Sequence, residues 1–214
     1  MTRAAVYGFL VITVMLAHLG IASADTRQLF NGRDLSGWRH VGDGSFAVED
    51  GLLHAKGGVG LLWFERGKVG DAVLRVVYKV ESPTDNSGVF IRIPEAPKDQ
   101  WMPVDRALEI QINDAEESGY FRTGSVYTFA EARARPAKLG EWNTMDITIN
   151  GPRTVVHING VLVSDYREGD PVPPKKHDWD PARGPRPESG FIGLQNHPHG
   201  KSVYFKEISI RPLK

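Results

Sequence analysis

The chain has 214 residues, with 26 lysines and arginines against 26 aspartates and glutamates, and no cysteine. A balanced charge leaves no basic excess to gather against a phosphate backbone or an anionic bilayer, so neither nucleic acid nor a membrane surface is an expected partner; a small, neutral or weakly charged ligand is. Without cysteine there is no thiol nucleophile, no disulfide and no lipid-modified cysteine anchor, so the fold has to rest on its core alone.

The N-terminus reads Met1-Thr2-Arg3, then a largely apolar run over 6–21, then Ala22-Ser23-Ala24. These are the basic, apolar and A-x-A parts of a secretory signal, so residues 1–24 are expected to be a cleaved signal peptide and the mature protein to be periplasmic or extracellular. A membrane anchor is the alternative reading. Gly8, Thr13, His18 and Gly20 dilute a segment already short of the roughly 20 apolar residues of a bilayer span, and no stable membrane insertion is expected after cleavage. Residues 25–214 are expected to form one domain, since a chain of that size buries roughly 70% of its unfolded surface in a single core.

Helical periodicity is nearly absent from residues 25–214, and short alternating or apolar runs recur between turn residues. Strands are predicted at 46–49, 52–55, 61–63, 72–80, 87–92, 108–112, 142–150, 154–158, 161–164, 190–195 and 203–212. Asp50-Gly51, Asn150-Gly151 and Asn159-Gly160 supply left-handed turn positions, the third in hairpin fashion. The run 130–135 holds helix formers but stops at Pro136, too short for more than a loop or one turn. Residues 170–188 carry six prolines among charged residues with Trp179 in the middle, either a disordered surface loop or the edge of a site. The fold class is all-β: two antiparallel sheets packed as a sandwich or jelly roll, with one concave face.

Three runs carry candidate chemistry. In Leu108-Glu109-Ile110-Gln111-Ile112-Asn113-Asp114, the apolar residues share one face and Glu109 and Gln111 the other. In Asn86-Ser87-Gly88-Val89-Phe90-Ile91-Arg92-Ile93, alternation groups Val89, Ile91 and Ile93 and leaves Phe90 and Arg92 opposite. If both apolar faces enter one core, Arg92, Glu109 and Gln111 project together, either as a polar site or as an ordinary solvated face worth ~0–1 kcal/mol per ion pair. In 190–200, Gly193 and Gln195 face outward and His197 and His199 follow the strand; His197 can move a proton near neutral pH or simply be exposed. Two histidines without a third ligand do not make a catalytic zinc site, no calcium-loop spacing stands out, and no metal or other cofactor is expected. Of the five tryptophans, Trp101 and Trp179 fall outside predicted strands and are the better candidates to stack on a sugar ring.

A set of motifs in order resembles the 3-keto-disaccharide hydrolase domain family. They are Leu29-Phe30-Asn31-Gly32-Arg33-Asp34-Leu35-Ser36-Gly37-Trp38, Asn86-Ser87-Gly88 through Arg92, Glu109-Ile110-Gln111-Ile112-Asn113-Asp114, Thr123-Gly124-Ser125-Val126-Tyr127, Gly140-Glu141-Trp142-Asn143, Asn159-Gly160 and Gly193-Leu194-Gln195-Asn196-His197. The resemblance implies a concanavalin A-like jelly roll acting on glycosides whose C3 hydroxyl is already a ketone, by 3-keto-glucoside 1,2-lyase and 3-keto-2-hydroxy-glucal hydratase steps that together amount to hydrolysis. Carried over by motif, Arg92, Glu109, Asp114 and His197 are the expected catalytic positions. Asn86, Phe90, Gln111, Tyr127, Gln195, Trp101 and Trp179 are the expected substrate-binding positions. The resemblance implies no oligomeric state.

A C3 ketone acidifies the proton on C2, so a base can remove it and the aglycone on C1 can leave by β-elimination. The base is expected to be Glu109 or His197, the enolate stabiliser Arg92 with Gln111, and the acid His197 or Asp114. Two other readings stand beside this one. The spacing Glu109-x-Gln111-x-x-Asp114 is similar to the E-x-D-x-x-E run of laminarinase-type retaining glucanases, with glutamine in place of the middle acid. A lectin-like, non-catalytic sugar-binding module would use the same polar face for recognition alone.

Overall fold

The computed structural model describes residues 25–200 and 202–213, so the expected signal segment lies outside the described residues. The strands in chain order are β1 (Arg27–Gln28), β2 (Trp38–Gly42), β3 (Phe46–Glu49), β4 (Leu52–Ala55), β5 (Gly60–Phe64), β6 (Ala72–Val80) and β7 (Asn86–Ile93). After a short helix α1 (Trp101–Arg106) come β8 (Leu108–Asn113), β9 (Asn143–Asn150), β10 (Arg153–Ile158), β11 (Val161–Arg167), β12 (Phe191–Asn196) and β13 (Val203–Pro212). Each of the eleven runs predicted from alternation is a strand, within a few residues at its ends. β1, β2 and α1 are additions: β1 is two residues long, β2 mixes polar and apolar residues, and α1 is a single short element containing Pro103.

All pairings are antiparallel. The larger sheet runs β11-β10-β9-β6-β13-β4-β3, with β1 on the same edge of β13 as β4. The smaller sheet runs β2-β5-β12-β7-β8. At the β10–β11 hairpin, Asn159 (φ 51°) and Gly160 (φ 79°) are both left-handed, the geometry that asparagine-glycine turns favour.

One core lies between the sheets. Leu62, Val89, Ile91, Leu108, Ile110, Ile112, Ile192 and Leu194 of the smaller sheet meet Leu74, Val76, Tyr78, Met145, Ile147, Phe205 and Ile208 of the larger. At ~1.5–3 kcal/mol for each fully buried large apolar side chain, this interface fixes strand register, because a slip of one residue would turn every such chain outward. A second, smaller cluster sits on the other face of the smaller sheet: Leu61, Trp63, Phe90, Ile93 and Ala107, covered by Met102 and Val104 of α1. That outer face is therefore not bare.

The alternation of β7 breaks at Arg92. Phe191 pairs Ile93 while Gly193 pairs Phe90, so Ile91 and Arg92 together oppose Ile192 in a bulge, and Arg92 takes a left-handed φ of 59°. The expectation that Ile93 shares the inner face with Val89 and Ile91 is corrected: the extra residue sends Ile93 to the outer cluster beside Phe90.

β8 ends the smaller sheet, but its free edge is occupied. Tyr127 N–H donates to Glu109 O (2.8 Å), Gln111 N–H to Ser125 O (3.1 Å) and Gly124 N–H to Gln111 O (2.8 Å). This protects the edge and carries Tyr127 to the side of Glu109. Residues 170–188 contain no strand or helix, yet they are tied down. Ala182 N–H donates to the carbonyl and the Oδ1 of Asp105 (3.1 Å each). The buried Arg186 donates to Ala107 O (3.0 Å) and Ala182 O (2.8 Å), and Arg183 to Thr128 Oγ1 (2.9 Å). The disordered-loop reading is thereby set aside. Among the described residues, no helix is long and apolar enough to cross a membrane.

Candidate active site

A cleft of about 300 Å³ opens on the outer face of the smaller sheet. Its lining includes Glu109 and Gln111 from β8, Asn86 from β7, Gln195 and Asn196 from β12, and Gly60 from β5. Around these stand Gln100, Trp101 and Val104 at and in α1, Tyr127 from the strap along β8, Trp179 from the proline-rich loop, and His197 and Pro198. Strand alternation puts the polar side chains on this face, while α1 and the 170–188 loop take it out of bulk water.

The result is a strand buried on both sides. Glu109 is 6% exposed and Gln111 5%. Glu109 Oε1 finds no hydrogen-bond partner among the described residues, and neither do Asn86 Oδ1 and Gln195 Oε1, so three buried oxygens of one cleft are left without donors. Buried polar atoms are rarely left unpaired, and an orphan costs about 1–3 kcal/mol. A hydroxyl-rich ligand supplies donors of the kind these oxygens lack.

Burial pushes the Glu109 carboxyl up to about 8, with no cation to oppose the effect. Tyr127 is pushed up to about 12, first by burial and then by Glu109, Asp180 and Glu116, while the Trp179 indole pulls weakly the other way; its hydroxyl therefore stays a donor at neutral pH. Burial, then His199, lowers His197. His197 Nδ1 accepts the His199 N–H (3.3 Å), which leaves the proton of the neutral ring on Nε2. Gln111 Oε1 accepts the Ile112 N–H (3.1 Å), so its amide N–H groups are the free end.

Seven of the sequence-predicted residues thus meet: Asn86, Trp101, Glu109, Gln111, Tyr127, Trp179, Gln195, with His197 as the eighth at the rim. Three do not. Arg92 leaves this face because of the bulge and donates to the carbonyls of Pro187 (2.7 Å) and Gly151, joining a hairpin turn to the foot of the proline-rich loop. Asp114, past the end of β8, lines a separate small cavity with Arg122 and Arg135. Phe90 is on the correct face but packs into the apolar cluster beside Trp63 and Ala107 rather than lining the cleft.

Some lining residues carry no signal in strand patterns. Val104 arrives on α1 and Gln100 immediately before it, in a segment that alternation does not register, and Val59 comes from the turn that precedes β5. Asn196 lies within the Gly193–His197 motif and is buried, its Oδ1 accepting from His40 Nε2–H (3.0 Å) and its Nδ2 donating to Ser45 O (2.9 Å), so it braces the cleft floor. Among the described residues, no group of three or more histidine, aspartate or glutamate side chains is arranged to hold a metal.

Residues 25–211 match the model of the 3-keto-alpha-glucoside-1,2-lyase-like domain. The chain belongs to this family. Its fold is shared with a presumptive glycosyl hydrolase from Parabacteroides distasonis ATCC 8503, 26% identical, covering 88% of this chain and 100% of that one at a TM-score of 0.72. A Bacillus subtilis protein of unknown function with a galectin-like fold is 14% identical, covering 89% and 96% at a TM-score of 0.65. The carbohydrate-binding module CBM66 from Bacillus subtilis is also 14% identical, covering 82% and 95% at a TM-score of 0.54. No curated protein matches the chain in sequence. The family and these neighbours make the protein a two-sheet jelly roll of the galectin and concanavalin type, in a carbohydrate-related hydrolase family.

Proposed function

We propose that the protein cleaves 3-keto-glycosides by abstracting the C2 proton and eliminating the C1 aglycone, with water adding afterwards to complete a net hydrolysis. The observation that carries this is the placement of Glu109: a buried carboxyl with an unpartnered oxygen on the cleft, whose proton affinity burial raises to about 8. Ionised, such a carboxylate is a stronger base than an exposed one.

In the first step Glu109 takes the proton from C2, and the C–H electrons form an enolate on the C3 oxygen. The enolate then collapses, forming a C1–C2 double bond and breaking the bond from C1 to the aglycone oxygen. That oxygen receives a proton, for which the newly protonated Glu109 is the available acid. In hydration, water adds to C1 and a proton returns to C2. The Tyr127 hydroxyl, the Gln111 amide and the His197 Nε2–H are the donors assigned to the oxyanion, at ~3–4 kcal/mol for a well-placed donor. Arg92 has no part in the step, and His197 acts as a donor rather than the base. Trp101 and Trp179, 57% and 64% exposed at the cleft, offer faces to the sugar or the aglycone.

Replacing Glu109 by Gln should lower aglycone release from a 3-keto-glucoside by at least ~10³-fold and stop exchange of the C2 proton in deuterated water. Exchange at a near-native rate would remove Glu109 as the base. A sugar-binding module is the second reading, favoured by the two exposed tryptophans; tight binding of a 3-keto-glucoside without turnover would support it. The glucanase reading is dropped, because Asp114 does not share the cleft with Glu109. Export belongs to the proposal on the pattern of residues 1–24 alone, and N-terminal sequencing of the secreted protein should begin at Asp25.

A further inference from the structure

Gly88 lies on β7 directly opposite Gln111 and diagonal to Glu109, which itself pairs with Phe90. A Cβ placed on Gly88 would stand 2.1 Å from Glu109 Oε1 and 2.9 Å from both its Cδ and its Cγ; all three of its nearest neighbours belong to that one side chain. Gly88 is in extended backbone, outside the left-handed region. Nothing about the strand itself demands glycine here, and in a strand interior glycine weakens the structure. What a side chain at 88 would meet first is the carboxyl lying across it, which would have to move.

We infer that Gly88 is a positioning residue, the slot whose missing side chain lets the Glu109 carboxyl lie flat on the sheet, out of water and held for its work on the substrate. With a methyl group in the slot, the carboxyl has to swing toward the mouth of the cleft, where water reaches it. Burial alone accounts for its raised proton affinity, so that affinity should fall with the swing. The part of this inference that concerns catalysis rests on Glu109 being the base; the part that concerns the slot does not.

Gly88→Ala tests both. Carbon-13 NMR of the side-chain carboxyls, with the Glu109 signal identified by its loss in Glu109→Gln, should show the titration midpoint dropping from about 8 to below about 7. The acidic limb of the rate of aglycone release should move down with it. In a Glu109→Ala background, where the slot is vacant, Gly88→Ala should leave the melting temperature unchanged or raised, whereas beside native Glu109 it should lower it. Should Gly88→Ala fail to fold, rescue by Glu109→Ala supports the slot and continued failure overturns it. An unmoved midpoint, or an equal loss of melting temperature in both backgrounds, overturns it as well. A midpoint that moves while the rate profile stays put supports the slot and removes Glu109 as the base.

Discussion

The outer faces of the two sheets are written in the same alternating pattern and end in opposite states. On the larger sheet, Arg75 donates to Asp146 across β6 and β9 (2.7 and 2.9 Å), Arg153 to Asp165 across β10 and β11 (2.8 and 2.5 Å), and Lys56, just past β4, to Glu49 of β3 (2.6 and 2.7 Å). These groups are part-exposed, and each of these three carboxylates has a cation. On the smaller sheet Glu109 is buried and forms no ion pair among the described residues. Period-two patterning decides which face a side chain points to; what is laid over that face decides whether the polar group stays ordinary. Here the cover is α1 and a loop, not another sheet.

The comparison predicts opposite responses to pH. Glu109 has a folded-state proton affinity above its unfolded value, so its contribution favours the native state fully at low pH. Stability should be lost as pH rises from about 4.5 to about 8, by up to about 1.4 kcal/mol per pH unit, and then level off. Chemical denaturation of Glu109→Gln should show that slope removed. If the slope persists in the variant, the carboxyl is not the buried outlier of this face. Asp165 points the other way: Arg153 lowers its proton affinity, so its contribution is present above the unfolded value and fades as pH falls below it.

Arg92→Ala comes next in size. It removes a buried cation and strips donors from Gly151 O and Pro187 O, so a loss of ~2–4 kcal/mol is expected. Limited proteolysis should then cut within 170–188 before the rest of the chain. Trp179→Ala should raise KM for a 3-keto-glucoside a few-fold to ten-fold, as expected for ~0.5–1.5 kcal/mol of ring contact, with kcat and stability little changed; an equal fall in kcat would give the ring a role in the chemical step. Arg75→Ala is the smallest: one part-exposed partner lost on the solvated sheet, ~0–1 kcal/mol in denaturation and no change in turnover. A larger effect there would mean the two faces differ less than their burial implies.

The alternation of β8 and of the first part of β7 was legible because each strand sets an apolar face against a core. Arg92 was not. A bulge inserts a residue without altering composition, and nothing in Ile91-Arg92-Ile93 says that the chain slips there. Glu109 and Gln111 could be assigned to a face but not to a dry one, since the cover comes from α1 and from residues 170–188, distant in sequence and without periodicity. The tryptophans of those two segments were read for the opposite reason: a large aromatic outside any strand has no core to enter. Gln100 and Val104 were missed because a six-residue helix interrupted by Pro103 carries too little pattern to register.

The ties between α1 and the proline-rich loop bear on how fast a ligand enters. Asp105 holds Ala182, and Arg186 holds Ala107 next to the helix, so Trp101 and Trp179 ride on segments bolted to each other rather than on independent flaps. Six prolines further limit the loop's excursions. The opening is thereby gauged when the chain folds instead of when a sugar arrives, and little order remains to be imposed on the protein at the encounter. Association should follow a single concentration-dependent phase, with its rate set by diffusion and desolvation rather than by the opening of a gate.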